Sequence, residues 1–277
     1  MAATSHPVVI LRPSGRFTRL NLGDVWEYRD LLYFLVSRDI KVRYKQTALG
    51  AAWAVLQPLL TMVAFSVFFG KLAKVPSNGI PYPVFTFAAL LPWQLFSYSM
   101  TEAGNSLIGS QNLITKIYFP RLVIPIAAVL GGLPDFAISF AVLLVLMAIY
   151  GIAPTLAILT IPLFILLAVA TALAAGFWLS ALNVKYRDVR YTIPFLAQFW
   201  LFLTPVAYPS SLIPEKWRVL FGLNPMAGVV EGFRWALLGE KEAPGPMLIV
   251  SIIIVAVLLV SGLYYFRHLE ATFADTI

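Results

Sequence analysis

The sequence predicts an all-α integral membrane protein. It has six transmembrane helices, an N-terminal amphipathic interfacial helix, and two short re-entrant helices between spans five and six. Three observations predict this. Hydrophobic residues make up 60% of the 277 and charged residues only 12%, and the mean hydropathy is +0.84, which excludes an ordinary soluble domain. Six apolar runs, about 53–73, 82–102, 122–150, 154–180, 191–208 and 246–266, approach or exceed the ~20 residues a helix needs to cross hydrocarbon. The runs are continuous rather than alternating, which excludes a transmembrane barrel. Charges stand in islands between them.

Residues 1–23 read as a flexible cytoplasmic arm broken by Pro7, Pro13 and Gly15. No apolar stretch follows Arg12, Arg16 and Arg19, so no cleaved signal peptide is expected. Residues 24–45 read as the interfacial helix, with Asp24 as its N-cap. Glu27, Asp30, Ser37, Arg38 and Lys41 fall on one face; Val25, Leu31, Leu32, Leu35 and Val36 fall mostly on the other. Residues 46–277 form a single transmembrane domain. Span one starts at Trp53, and a short loop, Val75 to Pro81, leads to span two, which Pro92 interrupts. The polar stretch 103–121 is an inner loop with a short helix. Span three is too long for one straight crossing and breaks at Gly131-Gly132-Leu133-Pro134-Asp135. The short Gly151–Ala153 link makes spans three and four an antiparallel pair. A charged island, 181–191, forms a loop before span five. Region 209–245 carries Pro209, Pro214, Pro225 and Pro244 around two apolar runs, 217–223 and 226–238. Both are too short to cross, so they dip in from the outer face and turn at Asn224-Pro225. There is no internal repeat.

The net charge of +7 is not a nucleic-acid signal. With the N-terminus in the cytoplasm, 14 basic residues fall inside and 6 outside, as the positive-inside rule requires. Both termini are then cytoplasmic. There is no cysteine, and His6 and His268 lie outside the spans, which excludes thiolate chemistry and a histidine-based site within the membrane. Gly70-Lys71 lacks the earlier glycine of a phosphate-binding loop, since position 65 is Phe, and no GxSxG elbow occurs.

Few residues are left to carry chemistry. Asp135 is the one carboxylate deep within a span. It reads either as an ion relay or, preferably, as a side chain satisfied by freed backbone or by a polar group on a neighbouring helix. Aromatics concentrate on span one (Phe65, Phe68, Phe69), span two (Trp93, Phe96, Tyr98) and span five. On span five Phe195, Phe199 and Phe202 follow i, i+4, i+7, with Trp200 on another side. Such rings can stack on sugars and let them slide, or simply pack and face lipid. Glu231 and Arg234 are spaced to pair on one helix face, read here as a solvated structural pair. In the island, Lys185, Arg187 and Arg190 satisfy the positive-inside rule, whereas Asp188 between two arginines is not demanded by topology.

Four stretches carry a resemblance: Arg43-Tyr44-Lys45 … Leu49-Gly50 … Trp53 … Pro58; Lys116-Ile117-Tyr118-Phe119-Pro120-Arg121; Asn183-Val184-Lys185-Tyr186-Arg187-Asp188; and Thr204-Pro205 … Tyr208 … Ile213-Pro214 … Asn224-Pro225. In this order the chain, from about residue 30 to 266, resembles permease subunits of ABC exporters for polysaccharides and polyol phosphates, most of all the O-antigen exporters. Capsule and teichoic-acid permeases are close relatives. The resemblance implies a half-transporter in the bacterial inner membrane, not an enzyme, with a second copy of itself and two copies of an ABC ATPase subunit. It implies no cofactor in this chain, ATP and Mg being held by the partner ATPase. The cargo would be a lipid-linked polysaccharide. Inner loops 105–120 and 183–190 would couple to the ATPase through Lys116, Tyr118, Arg121, Lys185, Arg187, Asp188 and Arg190. The path would be lined by Phe65, Phe69, Trp93, Phe96, Phe195, Phe199 and Phe202. An outer gate would use Tyr208, Asn224, Pro225, Glu231 and Arg234. A drug or small-lipid exporter, an ion-coupled transporter using Asp135 and an intramembrane enzyme are the alternatives.

Overall fold

The computed structural model describes residues 22–45, 50–239, 243–270 and 273, all helix or connection. Apart from its last two residues, the arm expected at 1–23 lies outside the described residues. In order, the helices are α1 Leu22–Glu27, α2 Arg29–Lys45, α3 Gly50–Phe65 continued by a π-helical turn Ser66–Leu72, α4 Tyr82–Gly109, α5 Gln111–Lys116, α6 Val123–Leu130, α7 Leu133–Ile149, α8 Ile161–Lys185, α9 Val189–Leu203, α10 Glu215–Phe221, α11 Pro225–Leu238 and α12 Gly245–Glu270. Among the described residues, four segments are long and apolar enough to cross a membrane: 52–72, 123–149, 156–185 and 245–270.

The other two expected spans take a different form. Helix α4 has 28 residues and passes through Pro92 without interruption. It is the centre of the bundle, in contact with α3, α6, α7, α8, α9 and α11. Thr86 and Ser99 are buried against protein, while Gln94, Ser97 and Thr101 are only partly exposed; this polar content leaves the helix long enough to span yet not apolar enough to be recognised by hydropathy. It also absorbs the first third of the expected inner loop, ending at Gly109. Helix α9 has only 15 residues, about 22 Å at 1.5 Å per residue, against a hydrocarbon core of ~30 Å. It stops at Leu203 because Pro205 pushes Thr204 into extended geometry (φ −98°, ψ 138°).

The expected break at Gly131-Gly132 is present between α6 and α7. A Cβ on Gly132 would come within 2.9 Å of both Ser99 and Tyr98 of α4, so the break also lets α4 approach closely. The expected pairing of spans three and four runs through α6, which packs on α8, while α7 packs on α4 and α3 and α8 also packs on α4 and α12. The connector between α7 and α8 holds a 3-10 turn at Leu156–Thr160. The most extensive contact in the bundle, α4 on α8, rests on small residues: a Cβ on Gly176 would stand 2.6 Å from that of Ala103. Close approach of this kind replaces the hydrophobic drive that lipid does not supply.

Helices α1 and α2 are almost continuous, with Tyr28 N–H donating to the Asp24 carbonyl. Asp24 therefore lies within the helix and is not its N-cap; its carboxylate stands 4.0 Å from Arg267. Leu35 is buried against a cluster that includes Leu122, Val123, Phe177 and Phe266, while Trp26, Tyr33 and Phe34 are exposed. Helix α2 is thus docked on the bundle through one apolar face and shows aromatic rings on another.

Candidate functional site

One end of the molecule gathers α1–α2, the α4–α5 corner, the α8–α9 corner and the end of α12 around a single apolar cluster. Asn183 clips two of these together, its Nδ2 donating to the Gly104 carbonyl at 2.9 Å and to Asn105 Oδ1 at 3.1 Å. The charged island is not the loop expected. Helix α8 runs to Lys185 and α9 begins at Val189, so only Tyr186–Asp188 are non-helical. Apolar periodicity ends where the helix leaves the bundle, but the backbone hydrogen bonds continue past it. Lys185, Tyr186, Arg187, Asp188, Arg190 and Tyr191 are exposed on this corner. Asp188 occupies the N-cap position of α9 yet its side chain caps no amide. Neither Arg187 nor Asp188 forms an ion pair among the described residues. On the other corner Lys116, Ile117 and Tyr118 are exposed, Tyr118 at 71%. Arg121 stands apart. Its N–H donates to Glu270 Oε1 at 2.9 Å and its guanidinium to the Glu270 carbonyl. It fastens α12 to the bundle rather than presenting a free charge.

The opposite end is marked by Tyr82, at the start of α4, donating to the Ala207 carbonyl at 2.5 Å. Here the outer-gate candidates converge. Glu231 and Arg234 do pair, at 3.1 Å, but the pair is buried, not solvated: Arg234 is 0% exposed. Its guanidinium donates to the carbonyls of Val206 (2.7 Å), Tyr208 (3.2 Å) and Phe85 (3.4 Å) and lies 3.6 Å over the Phe85 ring. Glu231 accepts from Ser210 N–H and Oγ. Together they bind the 206–210 segment to α11 and α4. Asn224 caps α11 by accepting from Met226 N–H at 3.1 Å and from Trp200 Nε1 at 2.8 Å. Its own amide donates to the Leu203 carbonyl and Thr204 Oγ1. Pro225 sits at the first helical position, where its missing N–H costs nothing.

Among the aromatic candidates, Phe195, Phe199 and Phe202 form an exposed stripe along α9, with Phe195 and Phe199 stacked 6.2 Å apart. Phe65 and Phe69 are half-buried and meet edge to face. Phe96 is fully buried between Trp93 and Trp200. It is a core residue of the protomer, because α4 lies at the centre of the bundle.

Sequence reasoning missed a cleft of about 400 Å³ between α3, α4 and α7. At its edge Asp135 accepts from Arg43 Nη1 at 2.6 Å and from Tyr44, and the Arg43 guanidinium covers the Tyr98 ring at 4.1 Å. Burial first, and then the Asp135 carboxylate, push the Tyr44 hydroxyl up to about 12, so it stays a donor at neutral pH. Asp135 is thus satisfied from a neighbouring helix, as preferred from the sequence. Its partners lie about ninety residues away; the signal available was that a lone acid in a span needs a cation, and Arg43-Tyr44 stood beside span one.

Residues 30–238 match the ABC-2 type transporter family. The chain is 33% identical over 260 residues to the O-antigen export system permease protein RfbA of Myxococcus xanthus, covering 92% of this chain and 98% of that one. It is 31% identical over 262 residues to an RfbA of Klebsiella pneumoniae, with 93% and 97% covered. It is 26% identical over 241 residues to the polysialic acid transport protein KpsM of Escherichia coli, with 85% and 92% covered. An all-helical bundle with several membrane-crossing helices, matched over nearly its whole length, therefore belongs to the ABC-2 type transporter family of membrane permeases.

Proposed function

We propose that this chain is the permease half of an ATP-driven exporter that moves a lipid-linked, O-antigen-like polysaccharide from the cytoplasm across the inner membrane. The observation that carries the reading is the near full-length similarity to two O-antigen export permeases. The ATPase is a separate chain, since no phosphate-binding loop occurs in the sequence, and in this reading the active assembly pairs two copies of each.

In this reading the basic end faces the cytoplasm. Segment α3 with its π turn, α4, α6–α7, α8, α9 with the segment after it, and α12 make six crossings. The exposed corners at 116–118 and 185–190 receive the ATPase. Helices α10 and α11 are re-entrant. Supporting this, Ser251 Oγ donates to the Gly222 carbonyl in the α10–α11 turn, and Ser251 lies about 9 Å along α12 from its start. The closed Asp135–Arg43–Tyr44 cluster favours the exporter over an ion-coupled carrier, which needs a carboxylate free to exchange its ion. The test is a deletion strain. Surface glycan should vanish, with glycan accumulating inside, and return with this chain only when its ATPase is present. Surface glycan that survives deletion would overturn the reading.

A further inference from the structure

The cleft between α3, α4 and α7 has a specific wall chemistry. We infer that it is a binding subsite for an uncharged sugar residue, so that the exported polymer is a neutral glycan rather than a polyanion. The inference rests on the export reading above.

The first argument is solvation. Helix α3 is part of a membrane-crossing segment, 52–72, yet Gln57 is exposed on it and lines the cleft. Across the cleft Gln94 of α4 presents a second amide. Among the described residues neither side chain forms a hydrogen bond, whereas Thr61 and Thr101 beside them are satisfied by their own helix through the Gln57 and Ser97 carbonyls. Amide groups in a hydrocarbon environment need partners. This face therefore meets water or a polar ligand, not acyl chains.

The second argument is shape and chemistry. A pyranose has an apolar ring face and a rim of hydroxyls. Trp53, 54% exposed, offers a flat ring at the cleft. The two amides offer donors and acceptors beside it, matching the rim. The volume of about 400 Å³ admits a sugar unit and not a folded polymer.

The third argument is charge, and it names the class. The charged side chains lining the cleft are Glu102 and Asp135, both acids. Arg43 closes on Asp135, while Glu102 has no cation within ion-pair distance among the described residues. A carboxylated sugar here would meet a carboxylate, which is repulsive. A neutral or amino sugar would find an acceptor.

The test uses the full chain in lipid nanodiscs with two probes, neutral mannohexaose and a sialic acid hexamer, read by saturation-transfer NMR. Mannohexaose should give a signal and the sialic acid hexamer none. Trp53→Ala should lower the mannohexaose signal roughly fivefold or more, as loss of a stacking ring does elsewhere. Gln57→Leu, at an exposed position that the fold does not need, should lower it too. Glu102→Gln should raise the sialic acid signal. Equal signals from the two probes, no signal from mannohexaose, or a signal indifferent to both Trp53→Ala and Gln57→Leu would each overturn the inference. Surface glycan in the deletion strain is scored separately. If wild-type chain restores it while mannohexaose fails to bind, the subsite falls and the export reading stands. If surface glycan never depended on the chain, the export reading itself falls.

Discussion

The two ends of this molecule use charge in opposite ways. At the end built from the starts of α4 and α11, Arg234 and Glu231 are buried and paired, and their hydrogen bonds fasten the 206–210 segment to α11. At the other end Lys185, Arg187, Asp188 and Arg190 stand in water on a corner only three residues long. That corner is nevertheless held firmly, because Asn183 anchors it to α4 just before the exposed stretch begins. Charge satisfied internally is architecture. Charge left exposed on an anchored corner is available to a partner, and the geometry keeps it where a partner can find it.

The largest loss of stability is expected at Arg234. Arg234→Ala leaves Glu231 buried without its cation and several carbonyls without a donor, a loss of about 3–5 kcal/mol for a buried pair. Monodisperse protein on size exclusion in detergent should largely disappear. Normal yield would show that the buried cluster is not structural. Asn224→Ala should come next. It removes the α11 cap, worth ~1 kcal/mol, and leaves Trp200 Nε1 and Thr204 with fewer partners, a further ~1–3 kcal/mol. The thermal midpoint in detergent should fall by several degrees, by an amount between those of Arg234→Ala and the island variants.

At the basic end the effects on stability should be smaller and the effects on function larger. Arg121→Ala removes the guanidinium bond to the Glu270 carbonyl but keeps the backbone N–H bond to Glu270 Oε1 and the Arg267–Glu270 pair, so it should cost ~1 kcal/mol, visible as faster proteolysis near the end of α12. Arg187→Glu and Asp188→Lys, tested singly, should change stability by under ~0.5 kcal/mol while abolishing export. Normal export from both would reduce the island to a topology signal.

How much of this was legible depends on how local the cause is. The Gly131-Gly132 break, the turn before Pro225 and the two most apolar spans follow from short-range chemistry and were readable. The stop at Leu203 was also local, since Thr204-Pro205 disfavours helix, but the apolar run through 208 concealed it. The extension of α8 to Lys185 was not readable from hydropathy, which registers the loss of apolar residues and not the continuation of backbone hydrogen bonds. The burial of Arg234 was hidden for another reason. Pairing with Glu231 follows from spacing, but its other acceptors come from Phe85, Val206 and Tyr208, and only the tertiary fold brings them together. The polar face of α3 and α4 was hidden the same way, because Gln57, Gln94 and Asp135 meet only in the folded bundle.

If the exposed basic end docks a separate ATPase, ATP hydrolysis reports it. Purified chain in nanodiscs should hydrolyse no ATP alone. With the ATPase encoded beside it, a membrane-bound complex should form and hydrolyse ATP. The Arg187→Glu chain, at equal yield, should fail to retain the ATPase. Hydrolysis by the chain alone at high purity, or full retention of the ATPase by both the Arg187→Glu and Asp188→Lys chains, would contradict it.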